Sequence, residues 1–402
     1  MPVKQCALCA SQDLALIIDL GLHPLADTFM KSKAGAGSLP RYPLTVLRCL
    51  SCGHAMNGYR VPPEQRYQET EYSYDSANSD VAVAHFFEFA RDVGRFAKLG
   101  PQDLVVDIGG NIGTLLRAFR DQFRAGTLNV EPSHNIAMIS VENGIETAER
   151  FWDHEIAMRV AKEGGAKIIT ATNLLNHIDN LDIFFDDIMN ALEPEGVFVA
   201  EVPYLLTLIE RDAFDTMYLE HVSYFSVQPL RHFLAARDLR IMDVQIDEYM
   251  GGSIRFVIGR GVEGAEVAKL SKHEQTFGLG EEQIYERFRA RVRRFRENLL
   301  DELHTAKATG GLIMGIGAAT KGNTLLNYCG IDDTILDCVT DVSPLKIGKY
   351  TPGSAIAIKG DEVISDQVTH ALVLPWNIAD FLTRKLSRQH PHLSFIVPHM
   401  VE

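Results

Sequence analysis

The chain has 402 residues, of which 46% are hydrophobic and 23% charged, and its formal net charge is −14 at pH 7. A chain of this length exceeds one hydrophobic core, so roughly two to three domains are expected. The negative charge argues against nucleic acid and anionic membranes as partners, because both require a positively charged surface.

The sequence gives no indication of membrane insertion or secretion. No apolar run approaches the roughly 20 residues that a membrane-spanning helix needs, and the first residues, MPVKQCALC, contain no signal-peptide core. Six cysteines, four near the N-terminus and then Cys329 and Cys338, fit a reducing compartment better than a disulfide framework. A cytoplasmic protein is therefore expected.

Residues 1–65 are predicted to form a small zinc-binding domain. Two Cys-x-x-Cys pairs have the spacing of a four-thiolate zinc site: Cys6, Cys9, Cys49 and Cys52. All four positions are filled and none is open for water, so the metal is expected to be structural. Between the pairs, residues 16–30 are interrupted by glycine and proline, and zinc is expected to substitute for a core there.

His23 and His54 lie in the same segment and are not expected to bind the metal, because four thiolates complete its coordination. A zinc ribbon that binds nucleic acid is the alternative interpretation of this segment. Its few lysines and arginines argue against that alternative.

A polar, aromatic bend that contains Tyr72 and Tyr74 follows, and a helix is predicted from about Val81 to Lys98. From the residues alone, the tyrosines are expected to be surface turn residues. They gain another interpretation only from the family resemblance described below.

A glycine-rich turn is the strongest signal of a ligand site. The apolar run 104–108 predicts a buried strand that opens into Asp107-x-Gly109-Gly110-Asn111-x-Gly113 and a helix. The spacing does not match the dinucleotide-binding fingerprint. It matches the Asp-x-Gly-x-Gly-x-Gly turn of S-adenosylmethionine (SAM) methyltransferases, with Asn111 in place of the middle glycine, and asparagine tolerates a left-handed backbone. An ordinary tight turn is the alternative.

An acid follows the next predicted strand, which ends at Val130. Glu131 lies twenty-four residues after Asp107, and an acid in this position can accept hydrogen bonds from both ribose hydroxyls of a nucleoside. The turn, the spacing and the acid together predict a SAM site.

Residues 101–245 alternate strands and helices, which predicts a doubly wound parallel sheet. The predicted strand 167–171 ends near Asn173, where a ligand would reach it. A helix 183–192 is expected to stop at residues 194–196 before a strand 197–202. The segment 214–226 has no strong period and brings aromatics, a carboxylate and an imidazole together, as functional loops do.

A long helix is predicted from about Glu281 to Ala308, with a buried stripe at helical spacing: Ile284, Phe288, Val292, Phe295 and Leu299. The arginines between these positions are expected to form a solvated face. The rest of the chain is predicted to be a second, smaller α/β unit. Its first strand, 312–316, opens into the turn 317–324, which suits a phosphate but lacks the phosphate-loop ending. A turn that binds no ligand is an equally good interpretation of these residues.

In chain order, these features resemble one family, the three-domain sugar C-methyltransferases that act on nucleotide-linked keto-deoxysugars. The resemblance covers nearly the whole chain and rests on the four-cysteine segment, Tyr72-x-Tyr74-x-Ser76, Asp107-x-Gly-x-Asn-x-Gly, Asn176-His177, Glu201-Val202-Pro203-Tyr204, Tyr218-x-Glu220-His221 and Gly317-Ala-Ala-Thr-Lys-Gly-Asn. It implies an N-terminal zinc-binding domain (1–65), a Rossmann-like SAM-dependent methyltransferase domain (66–260) and a C-terminal α/β domain (261–402) that holds the sugar nucleotide.

The resemblance also implies roles for individual residues. His221 would be the general base, and four residues would line the reacting sugar: Tyr74, His177, Tyr218 and Glu220. The residues implied for SAM are Asp107, Gly109, Asn111, Gly113, Glu131 and Asn173. Those implied for the sugar nucleotide are Tyr204, Thr320, Lys321 and Asn323. Leu219 and Met250 depart from the usual family pattern, which leaves the identity of the sugar open.

The predicted chemistry requires such a group of residues. Methylating a carbon requires removal of a C–H proton, and a neighbouring carbonyl makes this feasible through an enolate. A neutral imidazole is a suitable base near pH 7, and Tyr218 or His177 could donate to the enolate oxygen. The predicted product is therefore a 4-keto-6-deoxyhexose, still linked to its nucleotide, with a methyl group on C3.

Three alternatives remain open. O- or N-methylation of a nucleotide sugar or a related small molecule would need no C–H proton abstraction. An NAD(P)-dependent oxidoreductase using Gly315-x-Gly317 would leave the Asp107–Gly113 turn unexplained. A non-enzymatic zinc-ribbon protein that binds nucleic acid conflicts with the net charge. The chain is expected to be a monomer or a small homo-oligomer, and the nucleotide base and the stereochemistry stay undetermined.

Overall fold

A computed structural model describes residues 1–67 and 80–398. The N-terminal part is an antiparallel sheet in the order β1-β2-β3-β9, whose last strand comes from the middle of the chain. Its elements are β1 (Leu14–His23), α1 (Lys33–Gly37), β2 (Tyr42–Cys49), β3 (Ala55–Asn57) and α2 (Pro63–Tyr67).

The middle part contains a seven-stranded sheet among the described residues, in the order β10-β11-β8-β7-β4-β5-β6. Its elements are α3 (Asp80–Phe96), β4 (Leu104–Ile108), α4 (Thr114–Phe123), β5 (Gly126–Val130), α5 (His134–Glu142), β6 (Thr147–Ala148), α6 (His154–Lys162), β7 (Ala166–Thr172), α7 (Leu181–Ala191), β8 (Leu192–Pro203), α8 (Leu205–Glu210), β9 (Ser223–Tyr224), α9 (Val227–Ala235), β10 (Arg240–Asp247) and β11 (Ser253–Gly259). Strands β6, β5, β4, β7 and β8 are parallel, and β11 and β10 add antiparallel strands at one edge. The predicted doubly wound α/β fold is confirmed.

The C-terminal part is a smaller sheet in the order β14-β13-β12-β15-β16, with parallel pairing throughout its described strands. Its elements are α10 (Ala265–Phe277), α11 (Glu282–Ala308), β12 (Leu312–Ile316), α12 (Thr320–Cys329), β13 (Cys338–Thr340), β14 (Ile358–Lys359), β15 (Val368–Val373), α13 (Ala379–Gln389) and β16 (Ser394–Ile396). In both parallel sheets the order of strands reverses at the first strand, β4 or β12. The carboxyl ends of strands at such reversal points are where ligands of α/β folds bind.

The expectation that residues 16–30 bury little was wrong. Ile17, Ile18, Leu20 and Phe29 are buried in a hydrophobic cluster that also contains residues of the middle and C-terminal sheets. The glycine at position 21, with φ +86°, gives the strand an irregular register and does not stop it from packing. The zinc site therefore supplements a hydrophobic core in this segment and does not replace one.

The expectation of a solvated arginine face on α11 was also wrong for two of its arginines. Arg289 donates to the carbonyl oxygens of Leu16 and Ile17, at 2.9 and 3.1 Å. Arg291 pairs with the buried Asp212 at 2.7 Å. The helix packs against β1, α8, β12 and α12. The other four arginines, Arg287, Arg293, Arg294 and Arg296, are exposed, as expected.

Smaller differences concern element boundaries. Residues 194–196, expected to end a helix and form a turn, lie within β8. Helix α10 was not predicted, because its sequence is mostly polar and its buried residues are few. Within residues 1–67 and 80–398, no helix is both long and apolar enough to cross a membrane.

Candidate active site

The turn after β4 has the backbone that its sequence predicts. Gly109, Asn111 and Gly113 all have positive φ, at 66°, 52° and 81°. A Cβ atom on Gly109 would lie 2.9 Å from Cδ1 of Leu174, so this glycine is required by the close approach of the loop after β7. Helix α4 begins directly after Gly113, which points its first N–H groups towards the carboxyl edge of the sheet.

A cavity of about 320 Å³ opens at this edge, a volume in the range of small-molecule pockets. It is lined by five of the six residues predicted to bind the cofactor: Asp107, Gly109, Asn111, Glu131 and Asn173. Gly113 is the exception, because it forms the N-cap of α4 behind the turn. Asn173, at the end of β7, also has a positive φ of 51°. These six assignments stay predictions, and the structure gathers five of the six residues around one cavity.

Four acids line the cavity (Glu64, Asp107, Glu131 and Asp179), and Asp107 and Glu131 lie at the carboxyl ends of β4 and β5. Asp107 is buried below the turn and accepts a hydrogen bond from the Thr170 hydroxyl at 2.7 Å, while burial raises its pKa to about 7. Glu131, at the end of β5, accepts from the backbone N–H of Ser133 at 2.8 Å, and burial raises its pKa as well. Of the two, Glu131 has the position that a ribose hydroxyl would use.

Part of the cavity wall is aromatic and was not predicted from the sequence. Phe86, Phe151, Trp152 and Tyr67 line it together with Leu115 and Leu174. The indole Nε1 of Trp152 is buried without a hydrogen-bond partner in the described part of the chain. Trp152 follows β6 on the same sheet edge, and that position was the signal that could have indicated it.

Two histidines and a tyrosine meet beside the cavity. His177 lines it, and the ring of His221 packs edge-on against His177 with centroids 4.8 Å apart. The Tyr218 ring lies 3.8 Å from His221, centroid to centroid. The structure thus brings together three of the predicted sugar-lining and catalytic residues from two separate loops.

The hydrogen bond of His221 defines which of its nitrogens carries the proton. Nδ1 lies 2.8 Å from the carbonyl oxygen of Thr216, and a carbonyl only accepts, so Nδ1 is the donor. Burial lowers the pKa of His221 to about 3, so the ring is neutral at pH 7 and Nε2 is an acceptor. A neutral imidazole with its Nε2 lone pair available has the state that a general base needs.

His177 is neutral for the same reason, because burial lowers its pKa well below the usual value. Its Nδ1 lies 2.5 Å from the hydroxyl of Tyr67, and its backbone carbonyl accepts from Arg66 at 3.1 Å. Tyr67 and Arg66, at the end of α2, were not singled out in the sequence.

Glu220 lies beside the histidines and links them to the N-terminal part. One carboxylate oxygen accepts from the backbone N–H of Asp27 at 3.1 Å, and the other has no hydrogen-bond partner among the described residues. Burial raises the pKa of Glu220 to about 7. A buried carboxyl that has one oxygen without a partner can accept a hydrogen bond from a substrate hydroxyl.

Tyr74 lies outside the described residues. Tyr204, predicted to contact substrate, is fully buried and donates its hydroxyl to Glu274 at 2.9 Å. It is a core residue here, because its hydroxyl satisfies a buried carboxylate between α8 and α10.

The three residues predicted to contact phosphates are engaged within the protein. Thr320 donates to Asp27 at 2.9 Å, and Asn323 donates to the carbonyl oxygen of Ala26 at 2.7 Å. Lys321 extends its Nζ over the ring of Trp376, 4.0 Å from the centroid. All three lie at the start of α12, at the reversal point of the C-terminal sheet, where they hold neighbouring parts of the chain.

The four predicted metal ligands form one cluster, with their sulfur atoms within 4.8 Å of one another. Cys6 and Cys52 are 3.6 Å apart, Sγ to Sγ, and Cys9 and Cys49 are 3.5 Å apart. Sulfurs around a tetrahedral zinc at about 2.3 Å would be about 3.8 Å apart, so the donor set fits zinc. His23 and His54 are not part of the cluster, since each is bonded elsewhere, to Leu20 and to Ser223.

Three family models match the chain in succession. They are a zinc binding domain over residues 6–67, a methyltransferase domain over 83–244 and a C-methyltransferase C-terminal domain over 248–398. Together they account for each of the three sheets in the predicted order. The chain belongs to the three-domain C-methyltransferase family.

A curated relative agrees with this membership. The C-methyltransferase NovU of Streptomyces niveus is 29% identical over 384 residues, which is 94% of this chain and 91% of that protein. The protein is thus a methyltransferase of the C-methyltransferase family, and its enzyme class is confirmed. Zinc and SAM, the two predicted cofactors, agree with the matched zinc-binding and methyltransferase domains and with the two donor sets described above.

Among solved structures, a SAM-dependent methyltransferase from Clostridium acetobutylicum is 15% identical, covering 46% of this chain and 94% of its own, with a TM-score of 0.36. Magnesium protoporphyrin IX methyltransferase from Synechocystis is 12% identical, covering 47% of this chain and 90% of its own, also with a TM-score of 0.36.

Proposed function

We propose that this C-methyltransferase transfers a methyl group from SAM to a carbon, C3, of a nucleotide-linked 4-keto-6-deoxyhexose. The observation that carries the proposal is the state of His221. Its Nδ1–H donates a hydrogen bond to the Thr216 carbonyl oxygen, and its ring is neutral. The ring packs against His177 at the edge of the cavity. Transfer to oxygen or nitrogen would not require the removal of a C–H proton.

The first step is removal of the C3 proton by Nε2 of His221. The C4 carbonyl next to C3 takes up the electron pair as an enolate, and burial favours the return of His221 to its neutral form. The anionic substrate and the developing enolate oxygen favour the imidazolium while it exists.

The enolate oxygen needs a hydrogen-bond donor. We infer that the protonated Tyr67 hydroxyl donates to Nδ1 of His177, which puts the proton of the neutral imidazole on Nε2. We assign this donor role to His177 and Tyr218, and a single donor of this kind is commonly worth about 2.7–4 kcal/mol. When bound, SAM supplies an electrophilic methyl group to the carbon of the enolate.

For the nucleotide, we propose the carboxyl end of the C-terminal sheet around α12. The helix has no side-chain N-cap, so its first N–H groups suit a diphosphate. The contacts of Thr320, Lys321 and Asn323 with phosphates stay predictions, since these side chains are held by other protein groups in this structure. A cytoplasmic location stays a prediction as well, and it suits a four-thiolate zinc site.

The test is incubation of the protein and SAM with dTDP-, GDP- and CDP-linked 4-keto-6-deoxysugars. We expect one of them to gain a single methyl group by mass spectrometry, with NMR placing it on carbon. In D₂O the substrate should exchange its C3 hydrogen, and His221→Asn should abolish both exchange and transfer while both ligands still bind. His177→Asn should be milder. A product with an O-methyl group, or exchange that survives in His221→Asn and disappears in His177→Asn, would contradict the proposal or reverse these two roles.

A further inference from the structure

The carbonyl that orients His221 belongs to a short 3₁₀ turn, Phe214–Thr216. Asp215 lies at its centre and is completely buried. Since Asp215 directly precedes Thr216, any shift of the Asp215 side chain is transmitted through one peptide unit to the carbonyl that bonds His221 Nδ1.

The C-terminal domain holds this turn. The indole Nε1 of Trp376 donates to Oδ2 of Asp215 at 2.8 Å, although 161 positions separate the two residues. Phe214 packs on the ring of Tyr328, with centroids 5.0 Å apart. The contacts on the turn thus include a tilted aromatic pair and a directional hydrogen bond.

A buried cation completes the arrangement. Lys321 Nζ lies over the Trp376 ring and has no hydrogen-bond partner among the described residues. Burial lowers its pKa to about 8, and the charge of Asp215 opposes that shift. Lys321 therefore stabilises the position of the Trp376 indole through a cation–π contact. It also stabilises the charged form of Asp215 through its positive charge.

The indole has little freedom to move. A Cβ atom on Gly251 would lie 2.8 Å from Cη2 of Trp376, and Gly251 has a φ of +93°. The Tyr249–Gly251 segment of the methyltransferase domain thus closes over the indole from the other side. The geometry fixes the Nε1–H of Trp376 towards Asp215.

We propose that Asp215 and Trp376 are positioning residues for His221: the C-terminal domain, through the Trp376 indole, holds the turn whose Thr216 carbonyl fixes the tautomer and orientation of the base. The proposal rests on the assignment of His221 as the base. It gives the C-terminal domain a part in proton removal in addition to its proposed part in binding the nucleotide.

The test uses the full-length zinc-loaded protein and the variants Trp376→Phe and Asp215→Ala, which remove the donor and the acceptor of this hydrogen bond, with the exposed Asp366→Ala as a matched control. The first readout is NMR of ¹⁵N-labelled histidine, in which the His221 signal is identified by its loss in His221→Asn. Wild type and control should show a protonated Nδ1 and an unprotonated Nε2. Both test variants should show a mixture of tautomers. A variant that retains the wild-type tautomer overturns the proposal, whether or not His221 is the base.

The second readout is kinetic. Misplacement of a reacting group by a fraction of an ångström to 1 Å costs about ten- to a hundredfold, so kcat and C3 exchange should fall by about tenfold or more in both variants. The KM values for SAM and for the sugar nucleotide should change less than twofold. A rise in KM with unchanged kcat would assign Asp215 and Trp376 to nucleotide binding and overturn the positioning role. If His221→Asn is itself active, the proposed function fails, and the NMR result still decides the positioning.

Discussion

Burial without a matching opposite charge controls protonation around the cavity. Asp107 and Glu220 have pKa values raised to about 7, and the pKa of His221 is lowered to about 3, each with burial as the largest cause. The His221 ring is therefore neutral at pH 7, and the carboxyls of Asp107 and Glu220 have pKa values close to that pH. A carboxyl with a pKa near the working pH can accept or donate a proton at low cost.

Glu220→Gln should change how stability depends on pH. The folded protein keeps the Glu220 proton up to a pKa of about 7, against about 4.5 when unfolded, so wild-type stability falls as the pH rises between these values. Glutamine keeps the acceptor for Asp27 N–H and cannot ionise. We expect the variant to match wild type near pH 4 and to gain up to about 3 kcal/mol relative to it above pH 7.

Urea denaturation at a series of pH values measures this difference. The exposed Glu302→Gln is the control, and its stability relative to wild type should stay constant with pH. If the stability of Glu220→Gln differs from that of wild type by the same amount at every pH, the pKa of Glu220 is not raised by folding.

Glu131→Ala should weaken SAM binding. The alanine removes a buried acceptor for the ribose hydroxyls, so affinity should fall by about tenfold or more, or about 1.4 kcal/mol. Isothermal calorimetry measures the change, with the exposed Glu142→Ala on α5 as the control. Unchanged affinity would mean that the ribose lies elsewhere.

At the scale of elements, the turn after β4 and the two Cys-x-x-Cys segments share one property. Each is specified by residues a few positions apart, such as glycines where φ is positive and cysteines three positions apart. One cysteine pair lies at the end of β2, and the other lies just before β1. Strand β3 pairs with β2 on one side and with β9, close to His221, on the other. The zinc site therefore stabilises a sheet that reaches the candidate active site.

Cys49→Ser should remove the metal and destabilise the N-terminal sheet. Elemental analysis should find about one zinc per wild-type chain and much less in the variant. Proteolysis should then cut within residues 1–67, while SAM binding by the methyltransferase domain survives. The buried Cys338→Ala is the control and should retain zinc, since Cys338 lies far from the cluster in the C-terminal sheet. Full zinc content in Cys49→Ser would contradict the assignment.

At the scale of the whole molecule, the loop at residues 26–27 joins the three parts. Asp27 receives the Thr320 hydroxyl from α12 and donates its own N–H to Glu220, while Asn323 donates to Ala26. One hydrophobic cluster also runs through all three sheets. The three parts therefore make one continuous body around the candidate site, and the contacts at the loop connect the zinc-binding part with the proposed nucleotide-binding and catalytic regions.

Thr320→Val should loosen this junction. Valine keeps the shape of threonine and leaves a carboxylate oxygen of Asp27 without its hydroxyl donor, so stability should fall by about 1–3 kcal/mol. Hydrogen exchange should rise in residues 24–30 and at the start of α12, as measured by mass spectrometry. The exposed Thr369→Val should change neither. If exchange in residues 24–30 stays at the wild-type rate, the Thr320–Asp27 contact contributes little to the junction.

The amino-acid sequence by itself determined the features that depend on near neighbours: the strand–turn–helix of residues 104–123, the acid after β5, the thiolate pairs and the alternation of strands and helices. Only the tertiary structure decided that Tyr204 is a core residue, that Thr320 and Asn323 hold the N-terminal loop, and that Trp376 reaches Asp215. Those contacts join residues 70 to 297 positions apart. Turn chemistry and ligand spacing are local properties of the chain, whereas the partner of a buried polar group depends on how distant elements pack.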